Sequence, residues 1–140
     1  MSLEAIDKRF VDEVKLRAYD DKYIDKIEER EILQIAIQQG IAIESARSAL
    51  AQVCEREGYT QEAALLKLIK ERAEAIPGKI DQKEFESILQ VVRQAALGRR
   101  TERDLKKMIV LVLEDAGLNR MKTGWFTDWY AAMKRDLGMA

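Results

Sequence analysis

The chain has 140 residues, of which 47% are apolar and 35% are charged, and its formal net charge is −1. This composition is typical of a folded globular protein, and the near-neutral charge gives no overall attraction for nucleic acid or acidic surfaces. Histidine is absent, which excludes the Ser-His and Cys-His arrangements of nucleophilic catalysis.

The cysteine content, the glycine positions and the apolar runs of the sequence exclude further classes of protein. The single cysteine, Cys54, cannot form an internal disulfide, which favours a reducing compartment. No segment has the run of apolar residues that a membrane span or a signal peptide needs. The glycines lie singly and form no phosphate-binding loop. We therefore expect a cytoplasmic protein with no membrane segment and no cofactor.

The first predicted element is an amphipathic helix over residues 3–18. Its apolar side chains recur at helical spacing, at Ile6, Phe10, Val14 and Ala18, opposite a charged face. A polar cluster at residues 20–22 then interrupts the pattern.

A duplicated segment follows, first over residues 24–39 and again over residues 80–95. Both copies open with Asp-x-x-Glu, a capping box that predicts the start of a helix. We predict an internal pseudo-repeat over residues 24–75 and 80–136. The two segments are identical at seven aligned positions: Ile24/Ile80, Asp25/Asp81, Glu28/Glu84, Ile32/Ile88, Leu33/Leu89, Gln34/Gln90 and Gln38/Gln94.

The remaining helices are predicted from glycine breaks and apolar periodicity. Two further helices per copy are expected, and no segment alternates in the manner of a strand. The predicted fold class is all-α, a compact bundle of about seven helices in a single domain over residues 1–140. It consists of a leading helix and two related three-helix units. The predicted helices run over residues 43–57 and 101–116, from Thr60 onward, and from about Thr123 to Asp136.

Part of the second copy resembles an EF-hand calcium loop. Gly78, Ile80 and Glu84 match the turn, the central apolar position and the last ligand of that loop. The earlier ligand positions hold Ala73, Ala75 and Pro77 in this copy, and Arg17, Tyr19 and Asp21 in the other. We therefore predict no calcium site of this kind.

The same pattern, G-x-I-x-x-x-E-x-x-x-I from Gly78 to Ile88, is similar to the helical units of the TerB-like (tellurite-resistance) family. The resemblance spans about 15 residues from Gly78, and Pro77 stands where the family has an acidic residue. It implies an all-α protein linked to stress responses and to acidic metal-binding sites.

Basic residues cluster at the predicted turn before the helix of residues 101–116 and on its first turns. This arrangement is typical of the phosphate contacts of a helix-turn-helix protein, and the alternative is a solvated polar face. The cluster consists of Arg99, Arg100, Arg103, Lys106 and Lys107.

The segment GWFTDWYAAM, residues 124–133, carries four of the aromatic side chains. On a helix these side chains form adjoining stripes. Either all of them pack in the core, or one stripe stays partly exposed and binds a protein partner or a second subunit. The candidate partner-binding residues are Trp125, Phe126, Trp129, Tyr130 and Met133.

These patterns favour a non-enzymatic helical module that binds a protein partner or itself, through the aromatic helix or the groove between the two repeats. The first alternative is a nucleic-acid-associated protein that uses the basic cluster. A TerB-like stress or metal-linked protein is the second alternative. No residue is predicted to be catalytic or to bind a metal or cofactor.

Overall fold

The computed structural model describes residues 8–116 and 128–139. In this part of the chain there are seven α-helices and two very short strands, which confirms the all-α fold class. The chain divides into two compact units, Met1–Ala63 and Ala64–Ala140. The elements are α1 (Lys8–Arg17), β1 (Tyr23–Ile24), α2 (Lys26–Gln38), α3 (Ile43–Glu57), β2 (Thr60–Gln61), α4 (Glu62–Glu74), α5 (Gln82–Ala96), α6 (Glu102–Ala116) and α7 (Trp129–Asp136).

The first unit packs α1, α2 and α3 around one apolar core. Phe10 and Val14 of α1, Ile32 of α2, and Leu50 and Val53 of α3 are fully buried in it. These side chains follow the 3.6-residue period of each helix, so each helix buries one stripe. The predicted leading helix is confirmed over Lys8–Arg17, and its residues 3–7 lie outside the described residues.

Both predicted capping boxes are present and have the same geometry. The Asp25 carboxylate accepts from the Glu28 N–H at 2.8 Å, and Glu28 accepts from the Asp25 N–H at 3.0 Å. The Asp81 and Glu84 pair makes the same two bonds at 2.8 and 3.1 Å. Each box satisfies two backbone donors that the first turn leaves without helical partners.

A short parallel bridge between β1 and β2 was not expected from the sequence. Tyr23 pairs with Thr60, and the Thr60 N–H donates to the Lys22 carbonyl at 2.9 Å. A helix was predicted from Thr60 onward, and this start is wrong because Thr60 lies in β2. It is buried there, and α4 begins only at Glu62. A two-residue strand is too short to show the alternation by which strands are recognised.

The second unit is built around the apolar faces of α5 and α6. Ile80, Phe85 and Leu89 are buried on the α5 side, and Leu105 and Ile109 are buried on α6. The Thr101 hydroxyl accepts from the Asp104 N–H at 3.1 Å and caps the start of α6. In the described residues no helix is both long enough and apolar enough to span a membrane.

Helix α7 is short but has defined caps at both ends. The Asp128 carboxylate accepts from the Ala131 N–H at 2.9 Å at the start. At the other end Gly138 has φ +74°, and the N–H groups of Gly138 and Met139 donate to the carbonyls of Arg135 and Lys134. This is the Schellman arrangement that ends a helix.

Candidate functional site

The described aromatic side chains of α7 face in different directions. Trp129 is partly exposed, and its ring meets Phe85 of α5 edge-on with centroids 5.6 Å apart. Tyr130 is buried, and Met133 is partly exposed. Trp125 and Phe126 lie outside the described residues. Of the described partner-binding candidates, Trp129 and Met133 therefore retain accessible surface, and Tyr130 is part of the core.

A small polar cluster attaches α7 to α6. The Tyr130 hydroxyl donates to Glu114 Oε1 at 3.1 Å, and the Lys134 ammonium forms an ion pair with the same oxygen. The Lys134 ammonium also lies 5.6 Å from the centroid of the Tyr130 ring. The bond from Lys134 lowers the pKa of Glu114, while burial raises the pKa of Tyr130. The cluster therefore keeps a charged carboxylate and a neutral phenol at neutral pH.

The predicted basic cluster lies at the α5–α6 turn and on the first turns of α6. Arg103 is exposed, and its Nη1 donates to the Asp136 carbonyl at 2.6 Å, at the carbonyl end of α7. A cation at that end is stabilised by the helix dipole. Arg100 donates to the Arg99 carbonyl at 3.0 Å. Arg103 therefore has a structural role, and the cluster is only partly exposed at Arg99, Arg100, Lys106 and Lys107.

A surface that the sequence did not single out lies where the chain passes from α1 to α2. Leu16, Tyr19 and Ile27 are 70%, 73% and 69% exposed. We call these three side chains the α1–α2 surface.

An ion pair connects α1 to α2 near two of these side chains in the sequence. Arg17 follows Leu16 and pairs with Glu31 at 3.0 Å, and Ile27 lies one turn before Glu31 on α2. Leu16 points away from the core, because it is two residues from both buried Val14 and buried Ala18.

Lys22 adjoins the α1–α2 surface and has an unusual backbone conformation. Its φ is +58°, in the left-handed region that costs most residues about 1–2 kcal/mol. Its ammonium lies 6.0 Å from the centroid of the Tyr19 ring and 5.9 Å from that of the Tyr59 ring. These distances are within the range of cation–π attraction.

The spacing of residues before the two capping boxes could have drawn attention to this surface. Lys22 stands three residues before Asp25, and Gly78 stands three residues before Asp81. Gly78 also has positive φ, at +74°. By the same comparison Ile27 matches Lys83, an exposed charged residue. The segment around Asp81 thus has a glycine and a lysine at the positions where the segment around Asp25 has Lys22 and Ile27.

In the described residues, few side chains could act as a nucleophile or hold a metal ion. Cys54 is buried, and burial raises the pKa of its thiol to about 12. In residues 8–116 and 128–139, no three acidic, cysteine or histidine side chains are placed to hold a metal ion.

Comparisons with known proteins find no family model that matches the chain, no similar curated protein and no similar solved structure.

Proposed function

We propose that the chain is a non-enzymatic protein-interaction module and that the α1–α2 surface contacts its partner. The observation that carries this proposal is the exposure of Leu16, Tyr19 and Ile27, each at about 70%, within the segment that runs from α1 to the start of α2. Water contact with this apolar area is unfavourable, and a partner that covers it gains about 25 cal/mol per Å² before the costs of association. Tyrosine is among the side chains that contribute most to binding at protein interfaces.

The second copy supports a role for these side chains beyond folding. We compare residues at the same sequence separation from Asp25 and from Asp81. Arg72 then occupies the position of Leu16, Ala75 that of Tyr19 and Lys83 that of Ile27. Since Arg72, Ala75 and Lys83 are all exposed as well, these positions accept polar or small residues. Large apolar side chains there are therefore not required by the helix–turn–helix geometry.

The state of the single thiol supports a non-enzymatic role. Burial raises the pKa of Cys54 to about 12, so the thiol stays protonated at neutral pH and is a poor nucleophile. The chain also has no histidine to act as a general base.

Nucleic-acid binding through the basic cluster is the first alternative, and a TerB-like stress or metal-linked function is the second. The engagement of Arg103 with the end of α7 favours the protein-interaction proposal over the first alternative. Phosphate contacts would also make retention strongly dependent on salt, which separates this alternative by experiment.

The test is affinity capture from a lysate of the source cells, with and without nuclease, followed by elution in steps of rising salt. The variant Leu16→Ser/Tyr19→Ser is compared with Leu97→Ser/Leu111→Ser, which removes two exposed leucines of the second unit. We expect a protein that resists nuclease and salt to be lost from the first variant and kept by the second. Equal retention by both variants would contradict the proposal, and nuclease-sensitive retention would favour nucleic acid.

A rise in melting temperature with added divalent ion would favour the metal-linked alternative.

A further inference from the structure

Helix α7 buries little apolar surface compared with the helices that it packs on. Of the eight residues of α7 only Tyr130 is buried, whereas α5 buries five of its side chains. Leu137, directly after α7, is also buried. Because the stabilisation from burial scales with the apolar area removed from water, α7 is held by burial less strongly than α5 is. Polar contacts therefore contribute a larger share of what keeps α7 in place.

Two side chains of α6 make these polar contacts, one near each end of α7. Glu114 Oε1 accepts from the Tyr130 hydroxyl at 3.1 Å and also pairs with the Lys134 ammonium. Arg103 Nη1 donates to the Asp136 carbonyl at 2.6 Å. The contacts come in opposite order along the two helices, so α7 runs antiparallel to α6 in this unit.

One carboxylate oxygen of Glu114 serves two successive turns of α7. Tyr130 and Lys134 are four residues apart, so they lie on the same face of the helix. The side chains of Glu114 and Lys134 are 27% and 22% exposed, so solvent screens their attraction less than it screens a fully exposed pair. Removing the charge of Glu114 therefore weakens two attachments of α7 at once.

The length of α7 determines how it can come away from the unit. A helix of eight residues is not stable in water by itself, because too few backbone bonds follow the costly first turn. When α7 separates from α5 and α6, it therefore loses its helical bonds as a whole. The same event removes Trp129 from the ring of Phe85, which is 1% exposed when α7 is in place.

We propose that α7 is a lid on the second unit that opens as a whole while α5 and α6 stay folded, and that Glu114 is the residue that keeps the lid closed. The open state exposes the edge of the Phe85 ring that Trp129 contacts in the closed state. This device lies in the second unit and does not depend on the α1–α2 surface of the first.

The lid is tested first in the unmodified full chain, by amide hydrogen exchange at several low urea concentrations. We expect protection factors in α7 at least about tenfold below those in the middle of α6, because local opening costs less free energy than unfolding of the unit. The α7 amides should share one dependence on urea, weaker than that of the α6 amides, since opening exposes less surface. Equal protection and equal urea dependence in α6 and α7 would overturn the inference.

The role of Glu114 is tested by the same measurement on Glu114→Gln. We expect exchange in α7 to become about three- to tenfold faster, because the ion pair with Lys134 is lost while the amide oxygen can still accept from Tyr130. Arg103→Ala should also speed exchange in α7, since it removes the contact with the Asp136 carbonyl.

Glu102→Gln is the matched control, since Glu102 is another glutamate of α6 with an arginine partner, Arg93 of α5. That ion pair stays intact when α7 opens, so its loss should leave exchange in α7 unchanged. Equal acceleration of α7 by Glu102→Gln and Glu114→Gln would show that α7 exchanges only when the whole unit unfolds, which would overturn the lid. Unchanged exchange in Glu114→Gln would overturn the role of Glu114.

Discussion

Helices α2 and α5 begin with the same cap and differ in the residues around it. The Asp25 and Asp81 boxes have equivalent hydrogen bonds, all between 2.8 and 3.1 Å. In α5, Phe85 follows the box and is buried beside Trp129. The corresponding residue of α2 is Glu29, which forms an ion pair with Lys26.

This difference separates the effect of the cap, which starts the helix, from the effect of packing, which buries its first turn. The cap depends on residues within one turn, so it is the same wherever Asp-x-x-Glu occurs at a helix start. The residue after the cap determines whether that turn is buried. In α5 that residue is Phe85, which lies in the core of the second unit, whereas in α2 it is Glu29, whose side chain is 14% exposed and forms an ion pair with Lys26.

The largest expected effect is the loss of the buried ring in α5. Phe85→Ala should lower the free energy of unfolding by about 3–5 kcal/mol, because it leaves a cavity beside Trp129. Glu29→Ala, the matching change in α2, should alter it by no more than about 1 kcal/mol. Urea denaturation of both variants measures the two values. Losses of similar size would show that the two turns are packed alike, contrary to the structure.

Removing either cap should lower the free energy of unfolding by a smaller amount, and by the same amount at both helices. Asp25→Ala and Asp81→Ala should each cost about 1 kcal/mol, since each removes a side chain that accepts from the N3 backbone N–H. The controls are Asp25→Ser and Asp81→Ser, which keep a capping oxygen and should cost only a few tenths of a kcal/mol. Denaturant titration of the four variants makes the comparison. One cap costing several times more than the other would mean that packing, and not the local bonds, sets its strength.

The smallest expected effect is on the pH dependence of stability, to which Glu114 and Glu28 contribute with opposite signs. The bond from Lys134 lowers the pKa of Glu114 below its ordinary value of 4.5, whereas burial raises the pKa of Glu28 above it. Glu114 therefore contributes stability above its unfolded pKa, and this is lost as pH falls through the lowered value. Glu28 has the opposite sign, because its burial opposes folding once pH rises above the unfolded value.

Glu114→Gln and Glu28→Gln test these signs by denaturation between about pH 3 and about pH 6. Relative to the unmodified protein, Glu114→Gln should lose less stability as the solution is acidified. Glu28→Gln should lose more, and the amide can still accept from the Asp25 N–H as the carboxylate does. Curves of the same slope for all three proteins would refute both assignments.

Local patterns in the sequence predict much of the helical fold. Residues 43–57 were predicted as a helix with the bounds that α3 has, and the caps at Asp25 and Asp81 form as predicted. Apolar periodicity and capping act within a few residues, so they can be read without knowing the rest of the fold.

Features that depend on distant parts of the chain were not predictable in this way. The β1–β2 bridge joins Tyr23 to Thr60, and the Lys22 cluster joins Tyr19 to Tyr59. Neither partner carries a local signal that points to the other. The hydrogen bond of Tyr130 likewise joins it to Glu114, which lies on a different helix.

The burial of Cys54 makes the chain suitable for a chemical measurement of local opening. The thiol is the only one in the sequence, it lies in the core of the first unit, and its pKa of about 12 leaves little thiolate at neutral pH. A maleimide or disulfide reagent can therefore react at an appreciable rate only when α3 separates from its neighbours. Labelling kinetics would report the opening equilibrium of the first unit from one native atom, without an added probe.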